Sequence, residues 1–306
     1  MTPELASIFR EESNIKDRLV LRAEVLTKIR AFFAEREVLE VETPLLEPTT
    51  NPAPFLNNFI CDNLYLQTSP ELAMKKLLAS GSDDIYQICK AFRKGEKGRL
   101  HNPEFTILEW YRVNFDHHDL MKEMEDFLIS IAGFPKAMYY TYQEICKKFL
   151  GINPHQSTLE QLKSIAEKNN LNVSGLEDDV DTWLQLLFTH LIEPNLGLEQ
   201  PTLIYDFPIE QAMLAKISNG VASRFEVYYR GVELANGFHE LNDAKEQRQR
   251  FNQDSNKRKK MGLPIIPLDE EFLTLLPKLP NCAGVALGID RLLLLLTKGN
   301  SLNEAL

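Results

Sequence analysis

Three glutamates recur at intervals of seven residues in the stretch FEVYYRGVELANGFHE, positions 225–240. They are Glu226, Glu233 and Glu240, and the residues around them are Val, Tyr and Phe, which are typical of a buried site. A buried carboxylate is unfavourable unless a cation or several hydrogen-bond donors accompany it. The pattern therefore raises the question of what would compensate three carboxylates in such a setting.

A hairpin is the predicted setting of the first two glutamates. The segment YYRG is typical of a hairpin turn, with Gly231 supplying the permissive backbone. If the turn is centred on Tyr229 and Arg230, Glu226 and Glu233 lie opposite each other on the two strands. Like charges in that position are unfavourable, and a divalent cation between them would reverse the effect. An exposed hairpin face, where two carboxylates cost little, is the alternative.

A second candidate site begins at Arg93, which ends the strand-like segment QICKAF and opens a basic loop. A fixed guanidinium beside a flexible cationic loop is suited to a polyphosphate, and Phe105, after the loop, could stack on a base. A solvated lysine-rich turn is the common alternative. The basic and polar members of the loop are Lys94, Lys97, Arg99, His101 and Asn102.

Arg291 follows the glycine-spaced segment GVALGID. Gly284 and Gly288 in that segment would let the backbone approach a ligand closely. The spacing matches neither G-x-G-x-x-G nor a P-loop. A glycine-bearing strand that packs tightly on its neighbours is therefore an equally good interpretation of the glycines alone.

Hydrophobic periodicity predicts the elements that carry these residues. Residues 17–37 have the spacing of an amphipathic helix, and VLEVETPLL, which begins at Val38, predicts a strand that ends at Pro44. Segments 84–94 and 104–115 predict two strands joined by the charged loop. HDLMKEMEDFLISIAG, residues 118–133, predicts a helix, and 135–200 read mostly as helices. Long helical pieces separate the strands without βαβ regularity, so the predicted fold is α+β, with a mostly antiparallel sheet flanked by helices.

Composition narrows the possible functions. The chain has 306 residues and a net charge of −10, which disfavours an extended RNA-binding surface. Its four cysteines are scattered without metal-like spacing, as in a reduced protein. The polar N-terminus MTPELASIFREES has no apolar signal core, and the run Leu292–Leu296 is too short to span a bilayer. We therefore expect a soluble cytoplasmic protein without membrane contact.

Several segments together resemble the catalytic core of class II aminoacyl-tRNA synthetases, in the lysyl branch. VLEVETPLL, FRKGEKGRLHNPEFTILEWY and GVALGIDRL are similar to the three class motifs, in the right order, and SPELAMKKLL and FHELNDAKEQ to lysyl-synthetase segments. The similarity runs from about residue 17 to the C-terminus. It implies one catalytic domain over 1–306 with a helical insertion at about 116–200, and a homodimer with Pro44 of the first motif at its interface.

The resemblance also implies ATP and magnesium. Arg93 matches the arginine at the α-phosphate and Arg291 the one at the γ-phosphate, so both are the expected catalytic residues. Phe105 matches the aromatic that stacks on adenine, and Glu226 and Glu233 match the carboxylates that hold Mg²⁺. The further expected ATP contacts are Lys94, Gly95, Glu96, His101, Asn102, Leu234 and Gly288, together with Glu233.

An amino-acid pocket is the third implication of the resemblance. Glu240 matches the carboxylate that pairs with a lysine side-chain ammonium. Glu71 matches one that contacts the amino group nearer the reacting carboxylate, and Tyr111 lines the same pocket. The other expected substrate contacts are Ser69, Pro70 and Ala286.

A narrower family resembles the chain more closely. Lysyl-tRNA synthetases carry an N-terminal anticodon-binding barrel, and here the first helix begins near residue 17, so no such barrel and no stable tRNA binding are expected. WLQLLFTHLIEPNLG and RFEVYYRGVELANGFHEL resemble the elongation factor P–(R)-β-lysine ligases. That resemblance implies a ligase that activates (R)-β-lysine or lysine as an adenylate and transfers it to a lysine of translation elongation factor P.

Two substitutions mark the chain. Lysyl synthetases typically carry G-x-G where this chain has Gly284-Val285-Ala286, and the added methyl group can shift selectivity modestly. The usual R-x-E is replaced by Arg93-Lys94-Gly95, with Glu96 one place late. Two alternatives therefore stay open: a minimal ligase that charges tRNA through its acceptor stem, and an inactive paralogue that binds lysine or a partner protein.

Overall fold

The computed structural model describes residues 15–171, 175, 177–299 and 301–302. The predictions for the polar N-terminal segment 1–13 lie outside the described residues. Contacts divide the chain into two compact units, one formed by residues 1–133 with 240–306 and the other by residues 134–239.

The helices in chain order are α1 Ile15–Ala34, α2 Glu71–Ala79, α3 His117–Ala132, α4 Tyr142–Leu150, α5 Leu159–Lys168, α6 Val180–Leu187, α7 Ala244–Lys260, α8 Glu270–Leu275 and α9 Ile289–Thr297. The strands are β1 Leu39–Glu40, β2 Leu46–Glu47, β3 Ile60–Cys61, β4 Leu64–Leu66, β5 Ile85–Phe92, β6 Glu104–Val113, β7 Met138–Thr141, β8 Thr202–Phe207, β9 Ile217–Ser218, β10 Val221–Tyr229, β11 Val232–His239 and β12 Cys282–Gly288.

In the unit of residues 1–133 and 240–306, β5, β6 and β12 pair antiparallel, and β1 adds to β5 in parallel. A separate small sheet has β4 between β2 and β3. In the unit of residues 134–239, β10 pairs antiparallel with β8, β9 and β11, and β7 joins β8 in parallel. The predicted α+β class with a mostly antiparallel sheet is confirmed.

Local sequence explains where the main helices lie. In α1, Leu21, Val25, Ile29 and Phe32 recur at helical spacing and are buried, so this face packs inward. α3 starts at an N-cap aspartate whose carboxylate accepts hydrogen bonds from the next turn, and it ends at Gly133 in the left-handed conformation, with φ of 66°. Both helices therefore lie within a few residues of their predicted positions.

The first motif departs from its predicted shape. A strand was predicted from Val38 to Pro44, and the structure has β1 over only two residues, Leu39–Glu40, with β2 beginning at Leu46. After β1, one more ladder hydrogen bond forms, from Val41 N–H to the carbonyl of Tyr86 at 2.9 Å. Pro44 lacks the N–H that a longer ladder needs, which explains the interruption.

Four aromatic rings fill the core of the unit that holds the three motif segments. Phe33 stacks on Tyr86 with ring centroids 4.3 Å apart and meets Trp110 edge-on at 5.4 Å. Trp110 in turn stacks on Phe127 at 5.5 Å. These contacts join α1, β5, β6 and α3, so the strands that carry the candidate site residues rest on an aromatic layer.

All four cysteines are free thiols, in agreement with a reduced protein. Within the part of the chain that the structure describes, no helix combines the length and apolarity needed to cross a bilayer.

Replacing Phe33 with Ala tests the aromatic layer. The side chain is fully buried, so we expect Phe33→Ala to lower the free energy of unfolding by about 3–5 kcal/mol in denaturant melts. Phe55→Ala is the matched control, because Phe55 is 70% exposed and should change stability by less than about 0.5 kcal/mol. Equal effects of the two substitutions would contradict this description of the core.

Candidate active site

Arg93 lies one residue beyond the end of β5, where the structure holds it from several sides. Its backbone N–H donates to the carbonyl of Pro103 at 2.8 Å, which closes the base of the loop. Its guanidinium lies 5.0 Å from the centre of the Phe105 ring and 3.8 Å from a carboxylate oxygen of Glu96. The structure thus brings together the predicted phosphate-binding arginine, the predicted stacking ring and the glutamate that follows Gly95.

The loop after Arg93 has a defined backbone. Lys94 N–H donates to the carbonyl of Asn57 at 2.9 Å, and Gly98 pairs with His101 across the loop. Gly95 has a φ of +87°, a conformation that side chains with a Cβ rarely adopt. A glutamate would be strained at this position, so the departure from R-x-E follows from the shape of this loop. Asn102 is half-buried at the end of the loop.

Arg291 lies in the first turn of α9 and reaches the same loop. Its Nη2 is 2.8 Å from Nε2 of His101, and its Nε donates to the carbonyl of Leu100 at 3.3 Å. Gly288 is the N-cap of α9, and a Cβ there would lie 3.6 Å from the Arg291 side chain. Arg291 and His101, both expected at the nucleotide, are therefore adjacent in the structure.

Asp290 is a positioning residue that sequence reasoning missed. Its carboxylate forms an ion pair with Arg22 at 2.8 Å and accepts a hydrogen bond from the backbone N–H of Thr106 at 2.7 Å. These contacts fix the start of α9 to α1 and β6, and so fix the backbone of Arg291. The sequence feature that could have indicated this role is an aspartate directly before the arginine of the third motif.

The predicted amino-acid pocket contains a buried group of charges. Glu71, in the first turn of α2, lies 2.7 Å from the ammonium of Lys75, and Glu240 lies 2.5 Å from the same nitrogen. The side chains of Lys75 and Glu240 are each only 1% exposed. The structure thus brings the two predicted recognition carboxylates together, and it adds a lysine that the sequence analysis did not single out.

Glu109 is a third carboxylate of this pocket, also missed from the sequence. It is buried on β6, two residues before Tyr111, so both side chains lie on one face of the strand. The Tyr111 hydroxyl donates to Glu109 Oε1 at 2.6 Å, and Glu109 Oε2 has no hydrogen-bond partner among the described residues. Burial, with the negative charge of Glu71, raises the pKa of Glu109 to about 8. A charged residue in the apolar run TILEWY was the signal.

β12 runs beside β6 and brings two of its residues next to this group of side chains. Gly284 lies opposite Tyr111 in the β6–β12 ladder, and Ala286 lies opposite Glu109. A Cβ at Gly284 would lie 2.3 Å from the Tyr111 ring and 2.7 Å from a carboxylate oxygen of Glu240. The glycine thus leaves room for two pocket side chains, and the half-buried Ala286 adds its methyl group beside Glu109.

The remaining predicted substrate contacts come at the start of α2. Pro70 is the N-cap residue of that helix and is buried, and the half-buried Ser69 precedes it. The Pro70 carbonyl accepts a hydrogen bond from Met74 N–H at 2.9 Å, which begins the helical ladder. A proline fits at this end because the first N–H groups of a helix have no partner within it.

The hairpin formed by β10 and β11, in the unit of residues 134–239, differs from its predicted register. The turn residues are Arg230 and Gly231, with φ of 52° and 69°, rather than Tyr229 and Arg230. A bulge lies between Val227 and Tyr228, so Glu233 pairs with Tyr228 and Glu226 pairs with Asn236. The prediction that Glu226 and Glu233 lie directly opposite each other was therefore wrong. The bulge adds a residue that the hydrophobic pattern does not reveal.

Glu226 is nevertheless close enough to Glu233 for the two charges to interact. Its buried carboxylate accepts hydrogen bonds from the guanidinium of Arg224 and the hydroxyl of Tyr228. Burial raises the pKa of Glu226, Arg224 opposes this, and the charge of Glu233 raises it further. Two carboxylates in this relation are a fitting donor set for Mg²⁺, which prefers oxygen ligands and relieves the repulsion.

Leu234 was predicted to contact ATP, but its side chain is 2% exposed and packs in the core. A contact from this position to a nucleotide would have to come from its backbone.

The chain matches the model of a protein family over residues 6–306, and the family is described as tRNA synthetases class II (D, K and N). The chain belongs to this family. Class II synthetases are ATP-dependent amino-acid ligases that use Mg²⁺, so family membership supports the general activity inferred from the motifs. The three segments that the sequence analysis singled out as class motifs all lie within the match.

A Gly284→Ala substitution tests the packing of the class II pocket. The added methyl group would overlap the Tyr111 ring and the Glu240 carboxylate, so we expect a loss of about 1–3 kcal/mol in thermal or denaturant unfolding. Gly98→Ala is the control, since a methyl group there would meet nothing within 4 Å. A Gly284→Ala protein as stable as the wild type would refute the close packing described here.

The raised pKa of Glu109 predicts a pH-dependent effect of Glu109→Gln. Between about pH 4.5 and 8 the native protein keeps a proton on Glu109 that the unfolded chain releases, so this residue lowers stability as pH rises. Glutamine has no group that titrates in this range, so the stability of the variant lacks this pH dependence. Its stability relative to the wild type should therefore increase by at least about 1 kcal/mol from pH 5 to pH 8, measured in urea melts.

The exposed Glu24→Gln is the matched control for this measurement. We expect its stability difference from the wild type to stay constant over the same pH range. The same constancy for Glu109→Gln would mean that Glu109 is ionised in the native protein.

Proposed function

We propose that the protein is an ATP-dependent ligase that activates (R)-β-lysine or lysine and transfers it to the ε-amine of a lysine on translation elongation factor P. The observation that carries this proposal is the buried group of Glu71, Glu109 and Glu240. Two of these carboxyl groups, Glu71 and Glu240, face one resident ammonium, and the third, Glu109, holds its proton at neutral pH. One negative charge is left in a desolvated site, and a ligand with an ammonium group compensates it.

The first step forms an aminoacyl-adenylate. A carboxylate oxygen of the amino acid attacks the α-phosphorus of ATP, and the bond from that phosphorus to pyrophosphate breaks. Glu71 and Glu240 orient the amino acid through its ammonium groups, while Arg93 stabilises the negative charge that develops on the α-phosphate. Arg291 binds the γ-phosphate of the leaving pyrophosphate. This is catalysis by orientation and fixed charge, without an enzyme nucleophile.

Mg²⁺ fits the same proposal. Glu226 and Glu233 would hold it, and the bound ion would supply positive charge to the phosphates. Phe105 provides a face for the adenine ring, and its present contact with the Arg93 guanidinium is one that a base can share or replace.

The second step transfers the aminoacyl group. The neutral ε-amine of the acceptor lysine attacks the carbonyl carbon of the adenylate, an amide bond forms, AMP leaves, and the amine releases a proton. The likeness of WLQLLFTHLIEPNLG and RFEVYYRGVELANGFHEL to the elongation factor P ligases supports a protein acceptor. A net charge of −10 also disfavours an RNA acceptor, whose phosphates would be repelled.

Charging of tRNA is the second candidate function, and the family match itself favours it. Both candidates share the adenylate-forming step and differ only in the acceptor. They also share a homodimer, which the likeness of the Pro44 segment to the first class motif supports, and the cytoplasmic location predicted from the sequence.

An acceptor competition separates the two candidates. Purified elongation factor P and bulk tRNA are offered together to the protein with ATP, Mg²⁺ and either β-lysine or lysine. Intact-mass spectrometry then measures the protein, and acid-precipitable label measures the RNA. We expect a gain of one lysyl-sized group on elongation factor P and no charged tRNA. Charged tRNA with unmodified elongation factor P would overturn the proposed acceptor.

Arg93→Ala tests the activation step separately from the acceptor. Loss of the guanidinium at the α-phosphate should lower the rate of amino-acid-dependent ATP–pyrophosphate exchange at least about a hundredfold. Lys122→Ala is the control, because this lysine is exposed and its ion pair is with Asp119, one turn earlier on the same helix. Exchange at the wild-type rate in Arg93→Ala would remove Arg93 from the mechanism.

A further inference from the structure

Lys75 is buried at the centre of the proposed amino-acid pocket, although no step of the proposed reaction uses it. Its ammonium lies 2.7 Å from Glu71 and 2.5 Å from Glu240. Glu71 stands one helical turn earlier on α2, and Glu240 comes from the segment before α7. One cation therefore joins two carboxylates that belong to separate parts of the sequence.

The burial of Lys75 sets it apart from an ordinary surface ion pair. Its side chain is 1% exposed, so the ammonium has no solvent to move into. Burial by itself lowers the pKa of Lys75, yet the charges of Glu240 and Glu71 hold that pKa above its usual value. The ammonium therefore stays charged at neutral pH, and the Glu71 and Glu240 carboxylates compensate its charge.

The charges that face Lys75 determine which ligands this site can bind. They belong to Glu71 and Glu240, with Glu109 and the Tyr111 hydroxyl on the strand behind them. Since Glu71 and Glu240 approach one nitrogen, their oxygens are close to each other. Without the ammonium, burial and mutual repulsion would favour a proton on one of the two. A protonated carboxyl binds a substrate ammonium poorly, because it has lost its charge.

We propose that Lys75 is a positioning residue that determines specificity: its ammonium balances the charges of Glu71 and Glu240 and holds the two side chains beside each other, ready for an amino acid that carries an additional ammonium group. This inference rests on the proposed function, because it assumes that the amino acid binds at Glu71 and Glu240. It adds to that function the residue on which the charge of the recognition site depends.

The test compares Lys75→Met and Lys75→Gln with the wild type. Titration calorimetry with lysine, in buffers of different ionisation enthalpy, gives the number of protons released on binding. We expect about one more proton released by each variant than by the wild type, since the ligand must displace the proton that replaced Lys75. In ATP–pyrophosphate exchange, KM for lysine should rise about tenfold or more, with kcat changed less than about threefold.

Two further variants separate charge from structure. Lys76→Met removes a lysine from the next position of α2, where the ammonium pairs with Asp269 at 3.1 Å and Glu271 at 3.2 Å. We expect its proton release and KM to equal those of the wild type. Lys75→Arg keeps the positive charge and should release no extra proton, with KM within about threefold of the wild-type value.

The outcomes are distinct. Unchanged proton release and KM in Lys75→Met would overturn the inference. If the two neutral variants do not fold, Lys75→Arg decides, and extra proton release by a folded Lys75→Arg protein would overturn it. A wild-type protein that binds lysine but supports no exchange with either lysine isomer would overturn the proposed function and leave the role of Lys75 standing.

Discussion

The ion triad of Glu71, Lys75 and Glu240 is the interaction on which the proposed site depends. Breaking a buried ion pair by removing one partner typically costs about 3–5 kcal/mol, because a charge is left without compensation. A protein retains such a group when its charges are needed in place. Here the triad joins α2 to the segment that enters α7, beside a strand that carries another buried carboxylate, Glu109. Under the proposed function, stability and recognition of a cationic amino acid rest on the same contacts.

The two arginines predicted to bind phosphate, in the same unit, are also held in place by neighbouring side chains. Arg93 lies against Phe105, and Arg291 lies against His101, so each predicted cation is already oriented before a ligand arrives. Asp290 holds the backbone of Arg291 by pairing with α1 and β6. Charges that are fixed in advance lose little entropy on binding and need little reorganisation during reaction, which is the usual source of catalysis in adenylate formation.

Much of this arrangement could be predicted from the sequence. The α+β class, β5, β6, α1 and α3 followed from hydrophobic periodicity, because each of these elements has a long apolar face. The predictions for Glu71, Glu240 and Tyr111 placed these residues in one pocket, and the structure brings them together. Their roles in binding stay predictions. Family likeness, rather than periodicity, suggested them, since three residues so distant in sequence have no local signal in common.

What the sequence could not supply is explained by geometry. The bulge between Val227 and Tyr228 shifted the register of Glu226 and Glu233, and a bulge leaves no mark in an alternating pattern. In the sequence, Lys75 could not be distinguished from its neighbour Lys76, which pairs instead with Asp269 and Glu271. Glu109 was passed over inside an apolar strand. These three cases depend on contacts between distant segments, which only the folded structure reveals.

The measurement that tests the central claim most directly is ATP–pyrophosphate exchange by the wild-type protein with lysine, β-lysine and norleucine, each with ATP and Mg²⁺. Norleucine matches the length of lysine but lacks the side-chain ammonium. A pocket built on buried carboxylates predicts exchange with lysine or β-lysine and at least about a hundredfold lower kcat/KM with norleucine. Comparable exchange with norleucine would contradict the account, because the buried glutamates would then not be what selects the substrate.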